Sequence, residues 1–140
     1  MTTGFWKDQP AYFVSDGSCN IMVWEKDTFR ELHRECIVDP FNENQPLQNI
    51  NELEFVGNVL FANIWMDDHI ALINYEEGKV IKWVDFKILQ KWIRHDGDSY
   101  QQTNRVLNGI AYNAATHSIY ITGKLWNRMF EIELLDSFVC

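Results

Sequence analysis

The feature that most constrains this chain is a repeat. Ser15, Asn63 and Thr122 each close an apolar, strand-like run, and each is followed by a turn and a further apolar strand. The spacings are 48 and 59 residues. Four-stranded units recurring at roughly 40–50 residues are the pattern of propeller blades. A repeated antiparallel meander in a sandwich is the alternative, and the recurrence favours the propeller. The expected class is therefore all-β, with approximate units at residues 6–40, 48–95 and 106–135.

Turn residues punctuate these units. In the first, residues 11–15 end at Asp16-Gly17-Ser18, and residues 20–24 resume the apolar run. Residues 29–38 mix strand formers with charges, which predicts a solvated outer strand. Residues 39–46 hold two prolines among turn formers and predict a loop. The second unit predicts four strands, at 52–56, 59–65, 70–73 and 80–84. Apolar positions 86, 88, 89, 92 and 93 predict one or two turns of amphipathic helix across 86–94, followed by a polar loop at 95–104. The third unit predicts strands at 109–112, 118–122 and 129–134.

Counting units sets a limit. The 140 residues supply about three blades, whereas closed propellers use at least about four. An open arc exposes apolar sheet faces, which invites association. Either the chain is part of a longer protein or it closes with a second copy, and the partial chain is favoured.

Composition narrows the partners. With 46% apolar and 14% aromatic residues the sequence is able to bury a core, and disorder is excluded. No apolar run approaches the roughly 18 residues of a membrane span. A formal charge of -8 without a basic stripe argues against nucleic acid and anionic membrane surfaces as partners. The first residues show no basic start or apolar stretch of a leader peptide, which leaves the compartment open. Cys19, Cys36 and Cys140 form no Cys-x-x-Cys pair and are odd in number, so thiols are expected rather than a bridge. His33, His69, His95 and His117 lack zinc-ligand spacing and are read as surface or structural residues.

Candidate chemistry is sparse. Glu52 and Glu54 share a strand face and are read as solvated carboxylates. Trp65 and Trp126 follow inner strands at corresponding places in two units, where aromatics pack between blades or floor a ligand pocket. Lys124 follows Gly123 at a strand end near these tryptophans. No Ser-His-Asp spacing, phosphate loop or metal constellation is present.

Four segments in order carry a resemblance: Ile50-Asn51-Glu52-Leu53-Glu54, Ala62-Asn63-Ile64-Trp65, Val106-Leu107-Asn108-Gly109-Ile110-Ala111-Tyr112 and Thr122-Gly123-Lys124-Leu125-Trp126. With Ser15-Asp16-Gly17-Ser18 upstream, the chain resembles the C-terminal part of the plant and bacterial glutaminyl-peptide cyclotransferases, a five-bladed propeller family. The resemblance runs from Trp6 to Leu134. It implies cyclisation of an N-terminal glutamine to pyroglutamate with release of ammonia, without cofactor or catalytic metal. The implied partner is a peptide or protein beginning with glutamine. The family often works in secretory or extracytoplasmic compartments.

Residue by residue, the resemblance implies that Asn51 holds the substrate amide or α-amine. Trp65 packs against the glutamine methylenes, Lys124 stabilises the oxyanion, and Trp6 forms another pocket wall. The proton-shuttling glutamate of the family belongs to an earlier blade than those here. This sequence departs from the family pattern at Gly4-Phe5 and Lys7 around Trp6, at Met66, and at Asn127. The alternative reading is a non-catalytic propeller module that binds N-terminal glutamine peptides, or an inactive fragment.

Overall fold

The structure, a computed structural model, describes residues 1–93 and 104–134. It is built almost wholly of antiparallel strands in three sheets. The first is a four-stranded meander of β1 (Thr2–Trp6), β2 (Gln9–Ser15), β3 (Asn20–Glu25) and β4 (Glu31–Cys36), paired in sequence order. β1 is a strand that sequence patterning missed. β4 is the solvated outer strand expected, with Glu31, Leu32 and Arg34 exposed.

The second sheet has six strands in the order β6-β5-β10-β9-β8-β7. Its meander is β7 (Ile50–Val56), β8 (Val59–Ile64), β9 (His69–Asn74) and β10 (Lys79–Asp85). The expected loop at 39–46 is instead a small ribbon, β5 (Val38–Asp39) and β6 (Gln45–Pro46), around a 3-10 turn at Pro40–Asn42. β5 lies parallel to β10 at Val38 and Lys79 and covers that edge, which would otherwise present unpaired backbone groups. The third sheet is β11 (Leu107–Asn113), β12 (Ser118–Gly123) and β13 (Phe130–Ile132).

The helix expected at 86–94 forms as a 3-10 segment, Lys87–Trp92, started by Asp85 Oδ1 accepting the Lys87 N–H at 2.7 Å. Six residues are too few to repay α-helix nucleation. Phe86 and Ile93 are buried, whereas Ile88 and Trp92 are exposed. Arg94 and all of the expected loop at 95–104 except Asn104 lie outside the described residues, as does His95. No helix among the described residues is long and apolar enough to cross a membrane.

Two cores meet at the middle sheet. Ala11 and Phe13 of β2, with Ile21 and Val23 of β3, pack with Leu60, Ala62, Ile64, Ala71 and Ile73. On the other side Val59, Phe61, Ile70 and Leu72 pack with Leu107, Ile110, Ile119 and Ile121. Every residue of β8 is buried, because its alternate side chains serve opposite faces. That is why residues 59–64 read as an apolar run broken only by Asn63.

The cysteine expectation is overturned. Cys19 and Cys36 form a disulfide with their Cα atoms 4.9 Å apart. The β3–β4 register places Asn20 opposite Cys36, and the Ile37 N–H bonds the Cys19 carbonyl at 2.9 Å. Linear spacing holds no trace of that register. Three histidines have close partners, in keeping with structural or surface roles: His33 beside Glu35, His69 beside Asp67, and His117 beside the Tyr112 hydroxyl.

Candidate active site

The inner strands β7 and β11 run side by side in the same direction. Their bonds advance together: Asn51 to Asn108, Glu52 to Ile110 and Glu54 to Tyr112. Each strand opens with a bulge. Asn51 and Glu52 together oppose Asn63, between the pairs Ile50–Ile64 and Leu53–Ala62. Asn108 and Gly109 likewise oppose Thr122, between Leu107–Gly123 and Ile110–Ile121. A bulge re-aims the side chain it bears, and here it turns two asparagines toward each other. The Asn51 Nδ2 donates to Asn108 Oδ1 at 3.0 Å.

The repeat-related residues fasten these strands. Ser15 donates its hydroxyl to the Asn51 carbonyl. Asn63, wholly buried, accepts the Gly109 N–H on its Oδ1 at 2.8 Å, and its Nδ2 has no hydrogen-bond partner among the described residues. Gly109 has φ +143°, and a Cβ there would lie 2.7 Å from Thr122 Cγ2. Only glycine fits this close approach. Thr122 bonds within its own loop, to the Arg128 carbonyl at 2.9 Å.

Register also places the rim residues. The Trp65 N–H bonds Asn49 and the Lys124 N–H bonds Val106, both at 2.9 Å. The next residues, Met66 and Leu125, both have positive φ, and the Asp67 and Trp126 N–H groups close equivalent turns. Lys124 thus corresponds to Trp65, and Trp126 corresponds to Asp67. The expected equivalence of Trp65 and Trp126 is corrected. Trp126 is half-buried over Gly123 and edge-on to Phe130 at 6.1 Å. Trp65 is 59% exposed at the rim, and Lys124 is exposed at the matching place in the next repeat.

Asn51, Trp65 and Lys124 therefore gather where β7 and β11 begin. Trp6 does not join them. Thr2 is level with Glu54, bonded to it at 2.8 Å, so Trp6 lies four residues further on, past the end of β7. Asn51 and Val56 stand five residue steps apart along β7, roughly 16 Å. Trp6 instead stacks on His33 at 4.6 Å, edge-on to Tyr75, beside a cavity of 860 Å³ at the opposite rim.

The two glutamates are also corrected, because neither is a solvated carboxylate. Glu52 and Glu54 accept the backbone N–H groups of Ile110 and Tyr112, each at 3.0 Å, and so pin β7 to β11. Burial pushes the Glu52 carboxyl up to about 7, against the pull of the Ile110 N–H and with the Glu54 charge adding to the rise. A carboxyl whose folded pKa is raised contributes stability that is full below its unfolded value and is lost as pH rises through about 7. Allowing for partial exposure, the loss is about 2 kcal/mol. Denaturant melts should show the wild type losing that much relative to Glu52→Gln between pH 5 and pH 8. Parallel pH profiles would sink this account.

Comparison with known proteins places the chain. Residues 3–134 match the family model described as glutamine cyclotransferase. The chain is 29% identical over 131 residues to glutaminyl-peptide cyclotransferase of Arabidopsis thaliana, covering 94% of itself and 39% of that protein. It is also similar to the crystal structure of Myxococcus xanthus glutaminyl cyclase, with TM-score 0.78 and 30% identity, over 94% of this chain and 53% of the other. The chain belongs to the glutamine cyclotransferase family. It spans about two fifths of the curated relative and about half of the solved one.

Asn108 is a residue to which sequence reasoning assigns no role. The signal for it is its place two residues after Val106, matching Asn51 two residues after Asn49.

Proposed function

We propose that this protein is the substrate-holding part of a glutaminyl-peptide cyclotransferase, and that its three sheets are blades of a propeller. The outward faces of the first and third sheets then receive the blades that complete the ring. In the reaction, the α-amine of an N-terminal glutamine attacks its own γ-carboxamide carbon. A new carbon–nitrogen bond forms, the original amide carbon–nitrogen bond breaks, and ammonia leaves with the proton given up by the amine. The observation that carries the reading is the family match over 3–134, together with the convergence of Asn51, Trp65 and Lys124 on one rim.

Trp65 supplies an exposed aromatic face for the glutamine methylenes, which holds the side chain folded toward the attacking amine. Asn51 holds the substrate's polar groups. Lys124 faces the oxygen that gains charge in the tetrahedral state. The proton transfer falls to a glutamate of an earlier blade, since Glu52 and Glu54 are engaged with β11. The reading requires no metal or cofactor. Trp6 is left out of the pocket.

The test is mass spectrometry of a glutamine-initiated peptide incubated with the purified protein, against the peptide alone. Loss of ammonia well above the spontaneous rate is expected. No acceleration by a sample with a cooperative melt would overturn catalysis by this chain and favour the binding-module reading.

A further inference from the structure

Asn51 and Asn108 occupy the same bulge position in neighbouring inner strands, and both are half-buried at the rim. Their backbones are held from several sides. Ser15 bonds the Asn51 carbonyl, and the N–H groups next in line after Asn108 are bound by Asn63 and Glu52. One hydrogen bond joins the two side-chain amides. Neither amide has another hydrogen-bond partner among the described residues.

A primary amide has two N–H donors and a carbonyl with two lone pairs. One bond from Asn51 Nδ2 to Asn108 Oδ1 therefore leaves the side-chain carbonyl of Asn51 and the amino group of Asn108 open. An open acceptor on one side chain and an open donor on its bonded neighbour match a third primary amide, which carries both a donor and an acceptor.

We propose that Asn51 and Asn108 form a clamp for a primary carboxamide, with Asn108 as a specificity-determining residue that selects glutamine over glutamate at the substrate N-terminus. The inference rests on the cyclotransferase reading and extends it. The Asn51 carbonyl accepts from the substrate amide N–H, and the Asn108 amino group donates to the substrate amide oxygen. An ionised glutamate offers only acceptors, so its oxygen meets the Asn51 carbonyl lone pair against lone pair. A buried polar group left without a partner rejects the wrong ligand far more strongly than a missing methylene does.

The decisive variant is Asn108→Asp, which has the same shape and still accepts from Asn51 Nδ2. A residue that only positions Asn51 would tolerate this change. A clamp would lose its donor. Two peptides differing only in N-terminal glutamine or glutamate are titrated at pH 7 against the whole protein and against Asn108→Asp and Asn108→Ala, with thermal melts of each. The wild type should prefer the glutamine peptide, and Asn108→Asp should weaken its binding about 10- to 100-fold and abolish the preference. Asn108→Ala should weaken it similarly.

Binding and preference unchanged in Asn108→Asp, with loss only in Asn108→Ala, would overturn the clamp and leave Asn108 a positioning residue. Preference in binding without turnover would keep the clamp and remove catalysis by this chain. Failure of the folded wild type to bind either peptide would overturn both. Should a variant not fold, the wild type alone still decides by its NMR side-chain amide signals. Those of Asn51 and Asn108 should shift with the glutamine peptide and not with the glutamate one, and equal shifts would overturn the clamp.

Discussion

Lys124→Ala should lower turnover of a glutamine-initiated peptide by about 100- to 1,000-fold, the usual consequence of removing one oxyanion donor. Lys82→Ala, on β10 and away from the rim, should leave turnover at the wild-type level. Lys124 is suited to the role by place. The backbone of β12 ends at Gly123, and the Lys124 N–H is tied to Val106, two residues before Asn108. Its side chain is exposed, and no carboxylate among the described residues pairs with it. It can therefore turn toward developing negative charge without breaking an ion pair. The loss should fall on kcat, because the charge appears only in the tetrahedral state. Equal rates for the two variants would remove Lys124 from the mechanism.

Phe13→Ala should destabilise the protein by about 3–5 kcal/mol, measured by denaturant unfolding. Phe13 is only 1% exposed and meets Phe55 and Tyr75 edge-on at 4.8 and 5.0 Å. Truncation would leave a void between the first and middle sheets and remove both aromatic pairs. Against a total stability of roughly 5–15 kcal/mol, that is a large fraction. Phe41→Ala is the control, since that ring is 66% exposed and should cost little. Comparable losses in the two variants would mean the first core is not the seam described.

The strands were legible where apolar runs end in turn residues, as at Asp16-Gly17-Ser18 and Glu76-Glu77-Gly78. β5 and β6 were not, because two-residue strands owe their existence to the β10 edge beside them rather than to local preference. The mispairing of Trp126 is of another kind: the 59-residue spacing from Asn63 to Thr122 itself sets Lys124 against Trp65, and matching the two tryptophans by residue type passed over it. Four residues separate β11 from β12, whereas Gly57 and Asn58 alone separate β7 from β8. The inner and second strands of the two units therefore keep different spacings, 57 residues from Asn51 to Asn108 and 59 from Asn63 to Thr122. No single overlay aligns both. Trp65 and Lys124 stood out by their places after strands, Asn51 and the roles of all three came from family resemblance, and the Asn108 contact came only from the bulges, which are set by pairing.

The middle sheet is a wall shared by two rooms. Leu60, Ala62 and Ile64 face one core while Val59 and Phe61 face the other. Amide hydrogens of β8 and β9 cannot exchange by the loosening of either outer sheet alone, since each departure leaves the wall propped from the other side. Exchange should start at β4 and β13 and reach β8 last, so the slowest amides should report the opening of the whole molecule.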